Sequence, residues 1–236
     1  MVEQVGRSFR EKLNPFMKEH FRSTHFEPRW PVVLTILAVL LLLALLPGRI
    51  RLFPVWCLAV AGIVVLVPMI AVGMTAAKAQ WLRIERAITL LFVVVAGAAT
   101  LVNLGNLIQV IVSRPRDVSG AQLLVSSIGV WFTNVLMFSL LYWQIDRGGP
   151  EARLTKAGTR PDWLFPQEGA PAEDVLSGWK ASFVDYLFLS YSTATAFSTT
   201  DVTPLTPRAK LLMMLESGIS LATIVIVAAR AINVLG

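Results

Sequence analysis

The sequence predicts an all-α integral membrane protein, with five transmembrane helices plus a re-entrant segment, or six full spans. Three observations lead there. Of the 236 residues, 55% are hydrophobic and 15% charged, too little polar material to cover a soluble domain of this size. The apolar residues fall in long runs separated by short charged or Pro/Gly turns. One stretch, Phe183 to Thr203 (FVDYLFLSYSTATAFSTTDVT), starts apolar and ends rich in hydroxyls. Its polar half cannot face lipid, because unsatisfied polar groups are costly in hydrocarbon. A half-polar insertion between apolar helices is the general design of a re-entrant loop.

Residues 1–30 form a basic amphipathic segment. Phe9, Leu13, Phe16, Met17 and Phe21 recur at helical spacing among Arg7, Arg10, Lys12, Lys18 and Arg22, the pattern of a helix lying in the membrane interface. Pro15 interrupts it. His20 and His25 lack neighbouring Cys or further His, so they read as solvated side chains rather than metal ligands. A three-helix membrane region covers 31–113. Its first helix runs from Pro31 to Leu46, near the lower length limit for crossing ~30 Å of hydrocarbon. After the Pro47-Gly48 turn a second helix covers Leu52 to Met74. Thr75 to Arg86 reads as an amphipathic connector, and a third helix as Ala87 to Val112.

That third helix carries Thr100, Asn103, Asn106 and Gln109 at spacings of three, a polar stripe on one face. The favoured reading is hydrogen bonding between helices; the alternative is the polar wall of a conduction or substrate path. A fourth helix spans Gly120 to Gln144 and ends in Tyr142-Trp143, an aromatic pair suited to the interface. Residues 146–182 form a polar, proline-bearing loop. Its Trp163-Leu164-Phe165 cluster and Trp179 read either as interface anchors or as packing against helix ends. A last helix starts at Pro207.

Cys57 is the single cysteine, which excludes an intrachain disulfide, and it reads as a small core residue. The net charge of +6 comes from basic residues near helix ends. That pattern points to membrane lipids and topology control rather than nucleic acid. No Ser-His-Asp set, carboxylate pair or nucleotide-binding glycine loop is present, so no enzyme activity, cofactor or metal is expected.

Along 183–218 the chain resembles the pore module of tetrameric potassium channels, whose pore helix and filter read roughly F-x-D-A-L-Y-F-S-x-x-T-x-T-T-V-G-Y-G-D-I-T-P. Phe183, Asp185, Leu187, Ser190, Thr193, Thr195, Asp201, Thr203 and Pro204 match without gaps. The likeness continues through Thr206-Pro207 and Leu211 to Glu216, and Gly218 is similar in place to that family's inner-helix hinge. The filter departs from the pattern: T-V-G-Y-G is replaced by Ala196-Phe197-Ser198-Thr199-Thr200, and both glycines are lost. With the fourth helix as outer helix, the resemblance implies a pore-module-like region over 119–236. The chain also resembles a family of bacterial membrane proteins of similar length, which implies the bacterial inner membrane and no particular activity.

The resemblance implies a homotetramer conducting monovalent cations. Its filter-like residues are Thr195, Ala196, Phe197, Ser198, Thr199, Thr200 and Asp201, supported by Asp185, Glu216 and Gly218. Glu216, a carboxylate in an apolar helix, is expected to face protein and to accept hydrogen bonds from the pore loop. Left-handed backbone disfavours non-glycine residues, so the carbonyl ladder of potassium filters is not expected here. The alternative is a transporter, or a non-conducting structural membrane protein with a relic pore fold. Sixteen of the 21 Lys and Arg fall on the N-terminal side, which the positive-inside rule assigns to the cytoplasm; pore loops of the resembled family enter from outside.

Overall fold

The computed structural model of the chain describes residues 29–48, 50–74, 79–113, 120–155, 160–171, 173–176, 179–196 and 202–235. The basic segment before Arg29, with His20 and His25, lies outside them. So do Phe197 to Asp201. The described chain is all-α apart from one two-residue strand pair. Its helices are α1 (Trp30–Leu45), α2 (Val55–Met74), α3 (Ala79–Ser113), α4 (Gly120–Ile145), α5 (Pro150–Thr155), α6 (Phe183–Ala196) and α7 (Pro207–Leu235). Four of them, α2, α3, α4 and α7, are long and apolar enough to cross a membrane, and α1 is a shorter apolar helix.

Prolines set several of these boundaries. Pro31 lies in the first turn of α1, where its fixed φ suits a helix and its missing N–H has no intrahelical partner to lose. At the other end Leu46 is extended, with φ −62° and ψ 137°, because Pro47 bars the helical conformation to the residue before it. Arg51 then donates to the Ala44 carbonyl at 2.9 Å, a cation satisfying an orphan acceptor at a helix C-terminus. The expected connector at Thr75–Arg86 is different in the structure. From Ala79 onward it is already part of α3, a single helix of 35 residues and about 52 Å at 1.5 Å per residue. No Gly or Pro lies between Ala79 and Arg86 to stop it. The charges there mark where the helix leaves the apolar zone, not where it begins.

Helices α1 to α4 form a bundle: α1 packs on α2 and α4, α2 on α3, and α3 on α4. The α1–α2 approach is tight at Gly62, where a Cβ would stand 2.9 Å from Leu40 Cδ1. Helix α4 is the hub, because it also packs on α6 and α7, which pack on each other. Its last turns are buried. Tyr142 and Trp143 are both inside and do not form an interfacial belt. Tyr142 stacks against Trp163 with ring centroids 4.7 Å apart, and Trp143 meets Phe183 edge-on at 6.0 Å.

The 146–182 loop folds back onto these helix ends. It contains 3-10 turns at Asp146–Gly148 and Pro166–Glu168 and the short strand β1 (Trp163–Leu164). Strand β1 pairs antiparallel with β2 (Thr203–Pro204), Trp163 opposite Pro204 and Leu164 opposite Thr203. Trp163 and Phe165 are buried, so this cluster is packing rather than a lipid anchor. Phe165 touches Tyr186 and Trp179, with centroids at 5.3 and 6.0 Å.

Candidate functional site

Helix α6 starts with a local cap. The Ser182 N–H and hydroxyl donate to Asp185 Oδ2 at 2.7 and 2.8 Å, satisfying groups that the first turn leaves free. Asp185 therefore serves its own helix. The side chains of Phe183, Tyr186, Leu189, Ser190, Thr193 and Ala194 are buried, whereas Val184, Phe188 and Tyr191 are exposed. Residues three and four apart lie on one helix face, so α6 lays one stripe against α4 and α7 and leaves an apolar stripe uncovered.

The direction of α6 follows from its partners. Tyr186 donates to Asp146 Oδ2, just beyond the end of α4, at 2.6 Å. One turn further on, the Ser190 hydroxyl lies 2.7 Å from the Val135 carbonyl, deeper along α4. Ser190 also hydrogen-bonds Glu216 of α7, and the Ser217 hydroxyl donates to the Thr193 carbonyl at 3.2 Å. Residue numbers rise together on α6 and α7, so these two consecutive helices run parallel. The chain after Ala196 must therefore return to the end from which α6 started. It does: β2 pairs with β1, and the Leu205 N–H donates to the Asp162 carbonyl at 2.8 Å. Fourteen residues of α6 rise about 21 Å. The seven residues 197–203 can span about 23 Å when extended, enough for a direct return.

Two polar clusters hold α6, β2 and the start of α7 together. At the entry end Asp146 and Asp162 are both buried. Asp146 Oδ1 accepts the Asp162 N–H at 2.8 Å. The Asp162 carboxylate accepts from the Thr206 hydroxyl and Arg208 Nε, each at 2.6 Å, and from Arg208 Nη2. Thr206 in turn accepts the Ala209 N–H at 3.2 Å, the N-cap of α7. The ends of α4, α6, α7 and the loop are thus joined through two carboxylates.

The second cluster lies inside the helices. Glu216 is fully buried and accepts from the Tyr142 hydroxyl at 2.5 Å and from Ser190. Asn134 Nδ2 donates to the Glu216 carbonyl at 3.2 Å and to the Ser220 hydroxyl at 3.0 Å. Glu216 faces protein and bonds α6, as expected of a carboxylate in an apolar helix. Gly218 is exposed, and a Cβ there would meet no atom within 4 Å.

Of the filter-like residues, Thr195 is exposed and donates to the Tyr191 carbonyl at 2.8 Å. Ala196 closes α6, and Phe197, Ser198, Thr199, Thr200 and Asp201 lie outside the described residues. Two amides of the polar stripe of α3 bond the turn between α1 and α2. Asn103 Oδ1 accepts the Leu52 N–H at 2.9 Å, and Asn106 Nδ2 donates to the Ile50 carbonyl at 3.1 Å. Both hold the α1–α2 turn. Thr100 bonds its own helix at the Ala96 carbonyl, and Gln109 is exposed. Sequence reasoning passed over Asn134, Asp146 and Asp162, and read Tyr142 only as half of an interfacial aromatic pair. Asn134 alone carried a signal, as an amide within an apolar span.

No family model, curated protein or solved structure matches this chain.

Proposed function

We propose that the chain is one subunit of an oligomeric, pore-loop membrane protein of the bacterial inner membrane. In this reading α4, α6, the 197–203 return and α7 make the pore module, and α6 is a re-entrant half-span beside five crossing helices. The observation that carries it is the parallel course of α6 and α7 with a strand pairing at their common end. A helix of about 21 Å is too short for ~30 Å of hydrocarbon, and its polar end is then sheltered by protein or water rather than lipid. One such loop cannot enclose a pore, so four copies surround an axis. Hydroxyls and carbonyls of Thr195 to Thr200 replace an ion's water, and Asp201 at the mouth raises the local concentration of monovalent cations.

Arg29, Arg86, Arg147 and Arg208 share the end at which α6 enters. By the positive-inside rule the loop enters from the cytoplasm, opposite to the potassium channels it resembles. A transporter path along Asn103 and Asn106 is disfavoured, since both amides already bond the 50–52 turn.

Ser198 and Thr200 replace the two filter glycines, and each would pay roughly 1 kcal/mol or more in a left-handed conformation. The expected result in bilayers containing purified protein, under opposed potassium and sodium, is a reversal potential near zero or no conductance. A reversal potential close to the potassium equilibrium value would overturn the rewritten-filter reading.

A further inference from the structure

Away from the pore-loop region, a shallow recess with water-sized room at its floor opens between the ends of α1, α3 and α4, lined by Arg29, Leu82, Glu85, Arg86, Gln144 and Pro150. Three features mark it as a built site. Arg29 Nε donates to Glu85 Oε1 at 3.1 Å, with both side chains largely buried, so the Glu85 charge is already compensated. Arg86 is exposed and its guanidinium has no hydrogen-bond or ion-pair partner among the described residues, which leaves the recess one net positive charge. Gln144 is 1% exposed, yet its Oε1 has no hydrogen-bond partner; a buried acceptor left unpaired is costly. The recess therefore offers one cation and one acceptor.

The backbone accommodates this arrangement at Gly149. Its φ is +95°, and a Cβ there would stand 2.8 Å from the Gln144 carbonyl and 3.4 Å from Arg86 Nε. Only glycine lets the turn pass so close to the guanidinium.

Depth decides what reaches it. From Arg86 to Asn106, which holds the turn at the opposite end, α3 rises about 30 Å, one hydrocarbon thickness. Trp30, next to Arg29 and 65% exposed, is the kind of residue that marks the membrane–water boundary. The recess then lies at headgroup level on the basic side.

We infer that this recess binds a phosphate group carrying a neighbouring hydrogen-bond donor: the phosphate on Arg86, and the donor, an ammonium or hydroxyl, on Gln144 Oε1. Phosphatidylethanolamine and phosphatidylglycerol headgroups have this chemistry. Phosphatidylcholine has the phosphate without the donor, and inorganic phosphate is the soluble equivalent.

The test is native mass spectrometry of the full-length, delipidated protein titrated with each of these three lipids. Wild type is expected to hold the ethanolamine and glycerol lipids about tenfold or more tightly than the choline lipid, the loss set by one unpaired buried acceptor. Arg86→Ala, and Arg86→Gln if the alanine variant misfolds, should weaken all three about tenfold. Gln144→Leu should erase the preference while leaving choline-lipid binding unchanged. Displacement of lipid by millimolar inorganic phosphate, lost in Arg86→Ala, would assign the site to the soluble anion. Wild-type lipid binding in both Arg86 variants would overturn the site, and equal binding of all three lipids by wild type would overturn the donor assignment.

Discussion

Glu216 shows how much a single buried side chain can organise. Its carboxylate receives the Tyr142 hydroxyl from α4 and the Ser190 hydroxyl from α6, so three helices converge on it. Glu216→Leu would leave the buried Tyr142 hydroxyl without its acceptor, at about 1–3 kcal/mol, while the Ser190 hydroxyl keeps the Val135 carbonyl at 2.7 Å. Glu216→Gln should cost less, because the amide keeps an acceptor and a hydroxyl can rotate to accept from its NH2. The expected order of thermal stability in detergent is wild type, then Gln, then Leu; a Leu variant as stable as wild type would remove Glu216 from its bridging role. Glu216 was legible in the sequence because a carboxylate in an apolar helix must find partners. Its partners were not: Tyr142 is 74 residues away in the chain, on a different helix, and gave only an aromatic-belt signal. Asp162 was illegible for another reason. A carboxylate in a proline-bearing loop has no periodicity to set it apart from solvated neighbours, and only the folded loop brings it to Thr206 and Arg208.

Among the elements, helix ends written by proline were readable, and ends implied by charge were not. Pro31, Pro47 and Pro207 fixed boundaries to within a residue. By contrast, the charged stretch before Ala87 disguised the first two turns of α3. The polar stripe of α3 was visible, but its purpose depended on a turn from a distant part of the chain. Asn103 stabilises that turn by pairing the Leu52 N–H. Asn103→Leu should leave the donor unpaired and cost about 1–2 kcal/mol. Hydrogen–deuterium exchange of peptides covering 47–54 is expected to rise in this variant, with exchange in α6 and α7 unchanged. Faster exchange spreading through α6 would instead place Asn103 in the structural chain that supports α6 and α7. The β1–β2 pairing could not be read at all, since two-residue strands carry no alternation to detect.

For the whole molecule, the architecture is a four-helix bundle sharing its last member, α4, with a helix–return–helix unit. The exposed apolar residues of α6 and α7, among them Phe188, Leu211 and Met214, are available to lipid or, in the proposed oligomer, to neighbouring copies. The re-entrant course of residues 183–203 is the claim on which the functional reading depends. That proposal rests on the half-polar composition of the stretch and on the contacts of Ser190, Thr193 and Leu205. Sided cysteine labelling tests it most directly. In a Cys57→Ser background, single cysteines replace Leu176 in the loop and Leu205 after the return, both exposed. A membrane-impermeant maleimide is then applied to right-side-out cells and to inverted vesicles. The expected result is labelling of both positions from the cytoplasmic face only. Labelling of Leu176→Cys and Leu205→Cys from opposite faces would make residues 183–203 a complete span and contradict the pore-loop account.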